Sequence, residues 1–284
     1  MNRHRGLALA VLVPQPATIF RDRSFFGVTE VSRSPASPYT ILTNGTTTHG
    51  IQSTDPARIE VPLAYYTKAG PFGDLFALLS GTGREQAVAA IGLGAGAVAT
   101  YVEPGWSMTF FEIDPVVAAV AADPGLFSYL SSAAERPTVV LGDARLSLRS
   151  IPAASYDAVV VDAFSSDAIP THLLTTEAMT EYARVVKPGG PILVHITNRY
   201  YDLAPAVAAA GRAIGLHAVQ RVYLPTDAEA REGASIVAAI ILIPPSSTDA
   251  ASDLAAGGWQ PVDGVVAPLT DDFMDVLRFL KPLW

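Results

Sequence analysis

Acidic side chains stand at the ends of several short apolar segments of this 284-residue sequence. Glu112 ends one such segment, Asp143 follows a second and Asp162 follows a third. If these segments are parallel strands of one sheet, their carboxyl ends meet at the edge where open α/β sheets bind ligands. The sequence therefore predicts that the three carboxylates share one pocket.

A glycine-rich turn precedes these acids along the chain. The apolar residues 87–91 run into Gly92, Gly94 and Gly96. Such a turn lets the backbone approach a ligand closely and directs the N–H groups of a following helix at it. Glycine turns also serve the close packing of a helix on a strand, so the acids that follow are needed to interpret this one.

The acids differ in the hydrogen bonds that they could accept. Glu112 lies about 20 residues after the turn, where an acid can accept two hydrogen bonds from ribose hydroxyls. Asp143, next to Ala144, could accept one from the exocyclic amine of adenine. Each acid by itself could instead cap a helix or a turn, which is the commoner role of Asp. Their repeated position at strand ends favours a shared pocket.

The spacing of the glycines distinguishes between nucleotide ligands. The pattern is Gly-x-Gly-x-Gly, without the third-glycine spacing of the nicotinamide fingerprint, and no Gly-Lys-Ser or Gly-Lys-Thr is present for a triphosphate. Together with Gly142-Asp143-Ala144, this favours an adenosyl-sulfonium ligand over NAD. The candidate cofactors are therefore S-adenosylmethionine and decarboxylated S-adenosylmethionine.

Strands and helices alternate from residue 87 onward, which is typical of a mostly parallel sheet covered on both faces. The pattern predicts the Rossmann-like α/β fold of S-adenosylmethionine-dependent methyltransferases, with its last two strands antiparallel. Residues 246–258 are expected to form a surface loop and 271–280 a final helix. Predicted strands span 87–91, 108–113, 138–141, 158–161, 192–196, 218–223 and 235–243, and predicted helices span 97–102, 115–122, 176–186 and 204–214.

The sequence before residue 60 has a different character. Residues 24–53 are rich in strand formers, Phe25 and Phe26 are assigned to a first strand, and Asn44-Gly45 is a strong signal for a tight turn. These features predict a small N-terminal antiparallel β-domain. The domain boundaries are expected at 1–20 for a short apolar segment and candidate disordered region, 21–60 for a β-hairpin domain and 61–284 for the Rossmann-like catalytic domain.

Composition excludes several other classes of protein. The chain has no cysteine, its net charge of -8 argues against a nucleic-acid partner, and its five histidines lack metal-ligand spacing, so no metal is expected. The apolar run Leu7–Val13 is far shorter than the roughly 20 residues that cross a bilayer. We therefore expect no membrane insertion and a cytoplasmic protein, with membrane association through a short or lost N-terminal segment as the alternative.

In its glycine turn, its acids at strand ends and its N-terminal β-region, the sequence resembles the spermidine synthase (polyamine aminopropyltransferase) family of polyamine biosynthesis. It resembles in particular the divergent bacterial members, which are often joined to membrane segments. The resemblance covers residues 21–282 and implies an N-terminal β-hairpin domain followed by a Rossmann-like domain with a seven-stranded sheet. It rests on residues 23–28, 44–52, 91–96, 112–114, 142–143, 162–167 and 269–272.

The resemblance implies a role for each acid. Glu112 would bind the ribose and Asp143 the adenine, while Asp162 matches the first acid of a motif that deprotonates the attacking amine. Asp167 corresponds to the second acid of that motif, which is two residues longer here. Such a carboxylate can first hold an ammonium and then accept its proton. The implied substrate-binding residues are Gln52, Tyr65 and Asp167.

The sequence also departs from the family at three positions where an acid is usual. Ala95 stands in the glycine turn where the family has an acid that holds the amine of decarboxylated S-adenosylmethionine, and Thr67 and Asn44 replace two further acids. The first hypothesis is therefore an aminopropyltransferase with a small-molecule amine acceptor. A methyltransferase that uses ordinary S-adenosylmethionine and a non-catalytic module that binds S-adenosyl compounds are the alternatives, and a homodimer is an open possibility.

Overall fold

The computed structural model describes residues 16–164 and 170–282. Its N-terminal part is a four-stranded antiparallel sheet in which the strands follow chain order. This confirms the predicted N-terminal antiparallel β-domain. The four strands are β1 (Ala17–Ser24), β2 (Gly27–Arg33), β3 (Tyr39–Asn44) and β4 (Thr47–Ser53).

Turns in this sheet agree with the sequence at one hairpin and differ at another. Asn44 pairs with Thr47, so the hairpin turns at Gly45, whose φ of 59° is a left-handed conformation that favours glycine. The assignment of Phe25 and Phe26 to a strand was wrong. They lie in the turn between β1 and β2, where the Phe26 N–H donates to Ser24 Oγ at 3.0 Å. The sheet also starts at Ala17, before the predicted β-region.

The main sheet follows in the order β12-β10-β11-β9-β8-β5-β6-β7. Strands β5 to β9 pair in parallel, and β10 and β11 are antiparallel, as predicted. Seven strands match the family architecture, and a two-residue edge strand is added to them. The bounds are β5 (Ala87–Ile91), β6 (Ser107–Glu112), β7 (Thr138–Leu141), β8 (Ala158–Val161), β9 (Ile192–His195), β10 (His217–Tyr223), β11 (Val237–Ile243) and β12 (Gln260–Pro261).

The central strands are buried on both faces, which is why they appear in the sequence as unbroken apolar runs. In β6, Phe110 packs into the hydrophobic cluster on one face and Phe111 into the cluster on the other. In β8, Val160 and Val161 divide between the same two clusters. Because β5 pairs in parallel with both β6 and β8, the carboxyl ends of these three strands lie side by side at one edge of the sheet.

Helices cover both faces of the main sheet, and none in the described part of the chain is long and apolar enough to cross a bilayer. The helices are α1 (Pro71–Ser80), α2 (Pro115–Ala122), α3 (Tyr129–Ser132), α4 (Ala144–Leu148), α5 (Thr176–Val185), α6 (Ala204–Ala213), α7 (Asp227–Arg231) and α8 (Thr248–Ala256), with 3-10 helices at Ala97–Tyr101, Thr171–Leu173 and Leu277–Phe279.

The surface loop predicted for 246–258 was wrong, because this segment contains α8. Its Ser, Asp and Gly residues suggested a loop, but alanine, the best helix former, occurs four times within α8. Leu254 is 3% exposed and Trp259, just after the helix, is 1% exposed. Burial of these two side chains holds the segment against the protein.

The final helix predicted for 271–280 was also wrong, since only its end is helical, in the 3-10 turn Leu277–Phe279. The Asp271 carboxylate accepts two hydrogen bonds of 2.8 Å from the Arg145 guanidinium and one of 2.8 Å from Thr175 Oγ1. The Asp271 N–H donates to the Glu177 carboxylate at 3.0 Å. The Asp271 carboxylate, which could otherwise cap the start of a helix, is therefore bound by residues distant in sequence.

Candidate active site

A cavity of about 590 Å³ lies between the N-terminal sheet and the carboxyl edge of the main sheet. The sheet is fixed over this edge by Ser24 Oγ, which donates to Asp114 Oδ2 at 2.6 Å, and by Tyr129 Oη, which donates to the carbonyl of Ile51 at 2.8 Å. The cavity walls therefore come from both parts of the chain. Glu112, Asp143 and Asp162 all line it, so the three acids face one pocket.

The three glycines of the turn have different surroundings. Gly92 and Gly94 line the cavity, with φ of 95° and 53°, and a Cβ on Gly94 would lie 2.6 Å from the carbonyl oxygen of His49. Gly96 does not line the cavity. It begins a 3-10 helix, where the sequence predicted an α-helix over 97–102, and a Cβ there would lie 2.9 Å from the Leu130 side chain.

Glu112 connects the glycine turn to the end of β6. Its Oε2 accepts a hydrogen bond of 3.0 Å from the Leu93 N–H, and its Oε1 accepts one of 2.8 Å from the Asp114 N–H. The residue is 7% exposed, and burial raises the pKa of its carboxyl above the usual range, although the backbone hydrogen bonds lower the pKa. Each carboxylate oxygen keeps a further lone pair that could accept from a ligand hydroxyl.

This raised pKa predicts how stability changes with pH. Because the folded-state pKa of Glu112 exceeds its unfolded value of about 4.3, its contribution to stability is complete below that value and is lost as the pH rises through the folded pKa. We expect the unfolding free energy of wild type minus that of Glu112→Gln to fall as the pH rises above about 4.3, as measured by urea unfolding at a series of pH values. The glutamine amide does not titrate, so its own cost is constant. A difference that rises with pH would contradict this.

Asp143 both caps a helix and faces the cavity. Its Oδ1 accepts a hydrogen bond of 3.1 Å from the Leu146 N–H at the start of α4. His172 Nε2 lies 4.0 Å from its Oδ2. Ala144, the first residue of α4, lines the cavity beside it. The cap uses Oδ1, so Asp143 can start α4 and still line the cavity.

Asp162 is held by two side chains that the sequence reasoning did not select. Tyr66 Oη donates to its Oδ2 at 2.8 Å, and His195 Nδ1 lies 2.6 Å from its Oδ1. The carboxylate is only 10% exposed. Burial and the nearby Asp162 carboxylate raise the pKa of Tyr66 well above its usual value, so the phenol stays protonated and remains a hydrogen-bond donor.

The signal for His195 was present in the sequence but was not used. It ends β9, the strand beside β8, so it stands at the same sheet edge as Asp162. Tyr66 had no comparable signal, because it lies in the irregular segment before α1. Only the packing of that segment against the sheet brings it to the cavity.

The implied substrate-binding residues are placed differently from one another. Tyr65 lines the cavity, with its ring 5.1 Å from the His195 ring. Gln52 is 3% exposed and is not among the described residues that line the cavity. Its amide N–H group donates to Ser128 Oγ and to the Ile59 carbonyl, both at 2.9 Å. Asp167 lies outside the described residues.

Within the described ranges, no group of three or more His, Asp or Glu side chains is arranged to hold a metal ion. The polar groups of the cavity include carboxylates, hydroxyls, carboxamides, imidazoles and the Arg199 guanidinium, set among apolar walls that include Phe111, Val117 and Leu173. The carboxylates and apolar walls suit a ligand with an aromatic base, sugar hydroxyls and a positive charge.

Comparison of the sequence with known proteins tests the resemblance to the spermidine synthase family. No family model matches the sequence. A polyamine aminopropyltransferase of Vibrio vulnificus is 29% identical over 126 residues, which are 42% of this chain and 41% of that enzyme. The chain resembles the spermidine synthase family. The resemblance inferred from the motifs is thus confirmed, although the match spans only about two fifths of that relative's length.

Solved structures agree with this assignment at the level of the fold. A probable spermidine synthase from Corynebacterium glutamicum superposes with a TM-score of 0.63 at 18% identity, over 88% of this chain and 91% of its own. A spermidine synthase in complex with the transition state analogue AdoDATO has a TM-score of 0.52 at 15% identity, over 93% and 84%. The Rossmann-like fold with an N-terminal β-domain is thereby confirmed.

Proposed function

We propose that the chain is a transferase that moves the aminopropyl group of decarboxylated S-adenosylmethionine to a small-molecule amine. The observation that carries this proposal is the Asp162 carboxylate, which lines the cavity beside the glycine turn with both of its oxygens oriented by neighbouring side chains. A carboxylate oriented in this way is suited to bind an ammonium ion and to accept its proton.

The residues of the cavity fit the adenosyl part of such a ligand. Glu112 is a buried acceptor for ribose hydroxyls, tied to the glycine turn through the Leu93 N–H. Asp143 and Ala144 stand where the adenine edge would be bound, at the end of the neighbouring strand β7. Apolar side chains from β6 and α2 supply surface for the base. The charge and hydrogen-bonding capacity of these residues support an adenosine ligand.

Asp162 would act on the second substrate. An alkyl amine has a pKa near about 10, so it arrives protonated at neutral pH and is not yet a nucleophile. Asp162 would first pair with the ammonium ion and then take one of its protons, while Tyr66 and His195 keep the carboxylate in a fixed orientation. The bound sulfonium supplies a good leaving group. Alignment of the amine in the cavity would contribute much of the remaining acceleration.

The proposal is tested by ligand preference followed by product analysis. Calorimetric titration with decarboxylated and with ordinary S-adenosylmethionine should show tighter binding of the decarboxylated compound. Incubation of the tighter ligand with a panel of primary mono- and diamines should then yield a product that carries an added aminopropyl group, detected by mass spectrometry. Tight binding of the decarboxylated compound without transfer to any amine would contradict the proposal and favour a binding module.

A methyltransferase is the second candidate, and the environment of Ala95 favours it. Ala95 is 1% exposed and is not among the described residues that line the cavity. A Cβ added to Gly50 in β4 would collide with the Ala95 Cβ, so the Ala95 methyl group packs closely against Gly50. Alanine supplies no carboxylate at this position to hold the amine of a decarboxylated cofactor. Preferential binding of ordinary S-adenosylmethionine, with methyl transfer to an acceptor, would establish this alternative.

A further inference from the structure

The His195 side chain is enclosed, and both of its ring nitrogens have polar partners. It is 3% exposed, with Nδ1 2.6 Å from Asp162 Oδ1 and Nε2 2.7 Å from Thr197 Oγ1. The rings of Tyr65 and Phe164 lie 5.1 and 4.9 Å from the imidazole. This packing limits rotation of the ring. The remaining question is which nitrogen carries the proton.

Backbone geometry answers that question through Thr197. The Ala238 N–H donates to Thr197 Oγ1 at 2.9 Å, so this hydroxyl is an acceptor in that contact and has one proton left to give. One alternative acceptor is the Ala238 carbonyl, which is 3.5 Å away. That carbonyl already receives the Ile196 N–H at 2.9 Å. The hydroxyl proton is therefore best placed on His195 Nε2, at the shorter distance of 2.7 Å.

If Nε2 accepts a hydrogen bond, a neutral imidazole must carry its proton on Nδ1. Nδ1 then donates to Asp162 Oδ1, where two lone pairs would otherwise face each other at 2.6 Å. The Ala238 amide thus donates to Thr197, Thr197 donates to His195, and His195 donates to Asp162. Because β11 pairs with β9, the sheet itself supplies the starting donor.

We propose that His195 is a positioning residue for Asp162, held by Thr197 in the neutral Nδ1–H tautomer. This rests on the proposed function for its catalytic meaning, but the tautomer can be tested separately. With Oδ1 engaged by His195 and Oδ2 by Tyr66, the carboxylate cannot rotate about its χ2 angle. The second lone pair of each oxygen then points in a fixed direction for the ammonium ion of an acceptor.

The tautomer is measured on the ligand-free protein by ¹⁵N-labelling its histidines and recording long-range imidazole spectra at neutral pH. Wild type should show His195 as a single neutral tautomer protonated at Nδ1. Thr197→Ser keeps the hydroxyl and should preserve this spectrum, whereas the isosteric Thr197→Val removes the donor and should shift the population away from it. His217, exposed on β10, serves as the internal reference for a solvated histidine. A wild-type imidazolium or Nε2–H tautomer would overturn the proposal.

Turnover then separates positioning from a purely structural role. Thr197→Val should lower kcat by about 10–100-fold with a smaller change in KM, as expected when a partner that orients a reacting group is lost. Thr197→Ser should lower it less. His195→Asn, whose amide N–H can still reach Asp162, should retain more activity than His195→Leu at matched melting temperatures. Equal kcat for His195→Asn and His195→Leu would overturn the positioning role, whereas absence of transfer in wild type would refute only the proposed function.

Discussion

Asp162→Asn should lower turnover by about 10²–10⁴-fold, while the adenosyl ligand binds almost as tightly as it does to the wild type. Asparagine keeps the size of the side chain and can still accept a hydrogen bond. It cannot pair strongly with an ammonium ion or remove its proton, so the acceptor amine would remain protonated. The substitution leaves Glu112 and Asp143, the residues proposed to bind the adenosyl part, unchanged, which is why binding should survive. Steady-state kinetics and calorimetry on the same preparation measure the two effects.

The surroundings of Asp162 also predict a moderate loss of stability in this variant. Tyr66 and His195 both donate to the wild-type carboxylate, but an asparagine amide has one acceptor oxygen. One buried donor would lose its partner, at a cost of about 1–3 kcal/mol.

If Asp162 only orders the chain, activity should follow the folded fraction instead of falling far below it. Asp253→Asn on α8 is exposed and provides the matched control. Normal turnover of Asp162→Asn on an identified amine would remove this residue from the mechanism.

Glu112→Ala should reduce affinity for the adenosyl ligand by roughly 30- to 10⁴-fold, since two ribose hydroxyls would each lose a buried acceptor worth about 1–3 kcal/mol. The structure adds a second reason for a large effect. The carboxylate also accepts from the Leu93 and Asp114 N–H groups, so the glycine turn would lose one of its hydrogen bonds to the end of β6. Calorimetric titration with the tighter-binding S-adenosyl compound measures the loss.

A control is needed because Glu112→Ala removes the acceptor of two buried N–H groups as well as the proposed acceptor of the ribose hydroxyls. The melting temperature of Glu112→Ala in the absence of ligand reports the structural part of the effect. Glu60→Ala, at an exposed glutamate before the Rossmann-like domain, should leave affinity unchanged. An unchanged dissociation constant for Glu112→Ala in folded protein would show that the ribose is bound elsewhere.

Much of the fold follows from local patterns in the sequence. Runs such as Ala158–Val161 are apolar at every position because each strand is covered on both faces, so burial and strand formation leave the same signal. The acids at the ends of β6 and β8 could be placed in one pocket because parallel strands bring their carboxyl ends to one edge. The Asn44-Gly45 turn was predictable because few residues adopt its backbone conformation without strain.

Patterns in short segments failed where distant contacts decide the conformation. Residues 271–276 have the composition of a helix start, yet Asp271 is bound to Arg145, 126 residues away. Gly96 belongs to the same motif as Gly92, but its neighbour is the Leu130 side chain and not the cavity. The motif could not distinguish a glycine that lines the cavity from one that packs away from it.

Tertiary structure decided which side chains contact Asp162. Tyr66 and His195 are 96 and 33 residues away in sequence. The end of a predicted strand could place His195 at the same sheet edge as Asp162, but no local pattern shows that either side chain contacts this acid. An acid at a strand end can be located in the sequence because the buried strand before it appears as an apolar run. A hydrogen bond across a cavity depends instead on which irregular segment packs over the sheet and on the strand that lies alongside. The backbone amide of Ala238, which sets the direction of the hydrogen bonds to His195, has no signature in the sequence because every residue except proline carries the same N–H group.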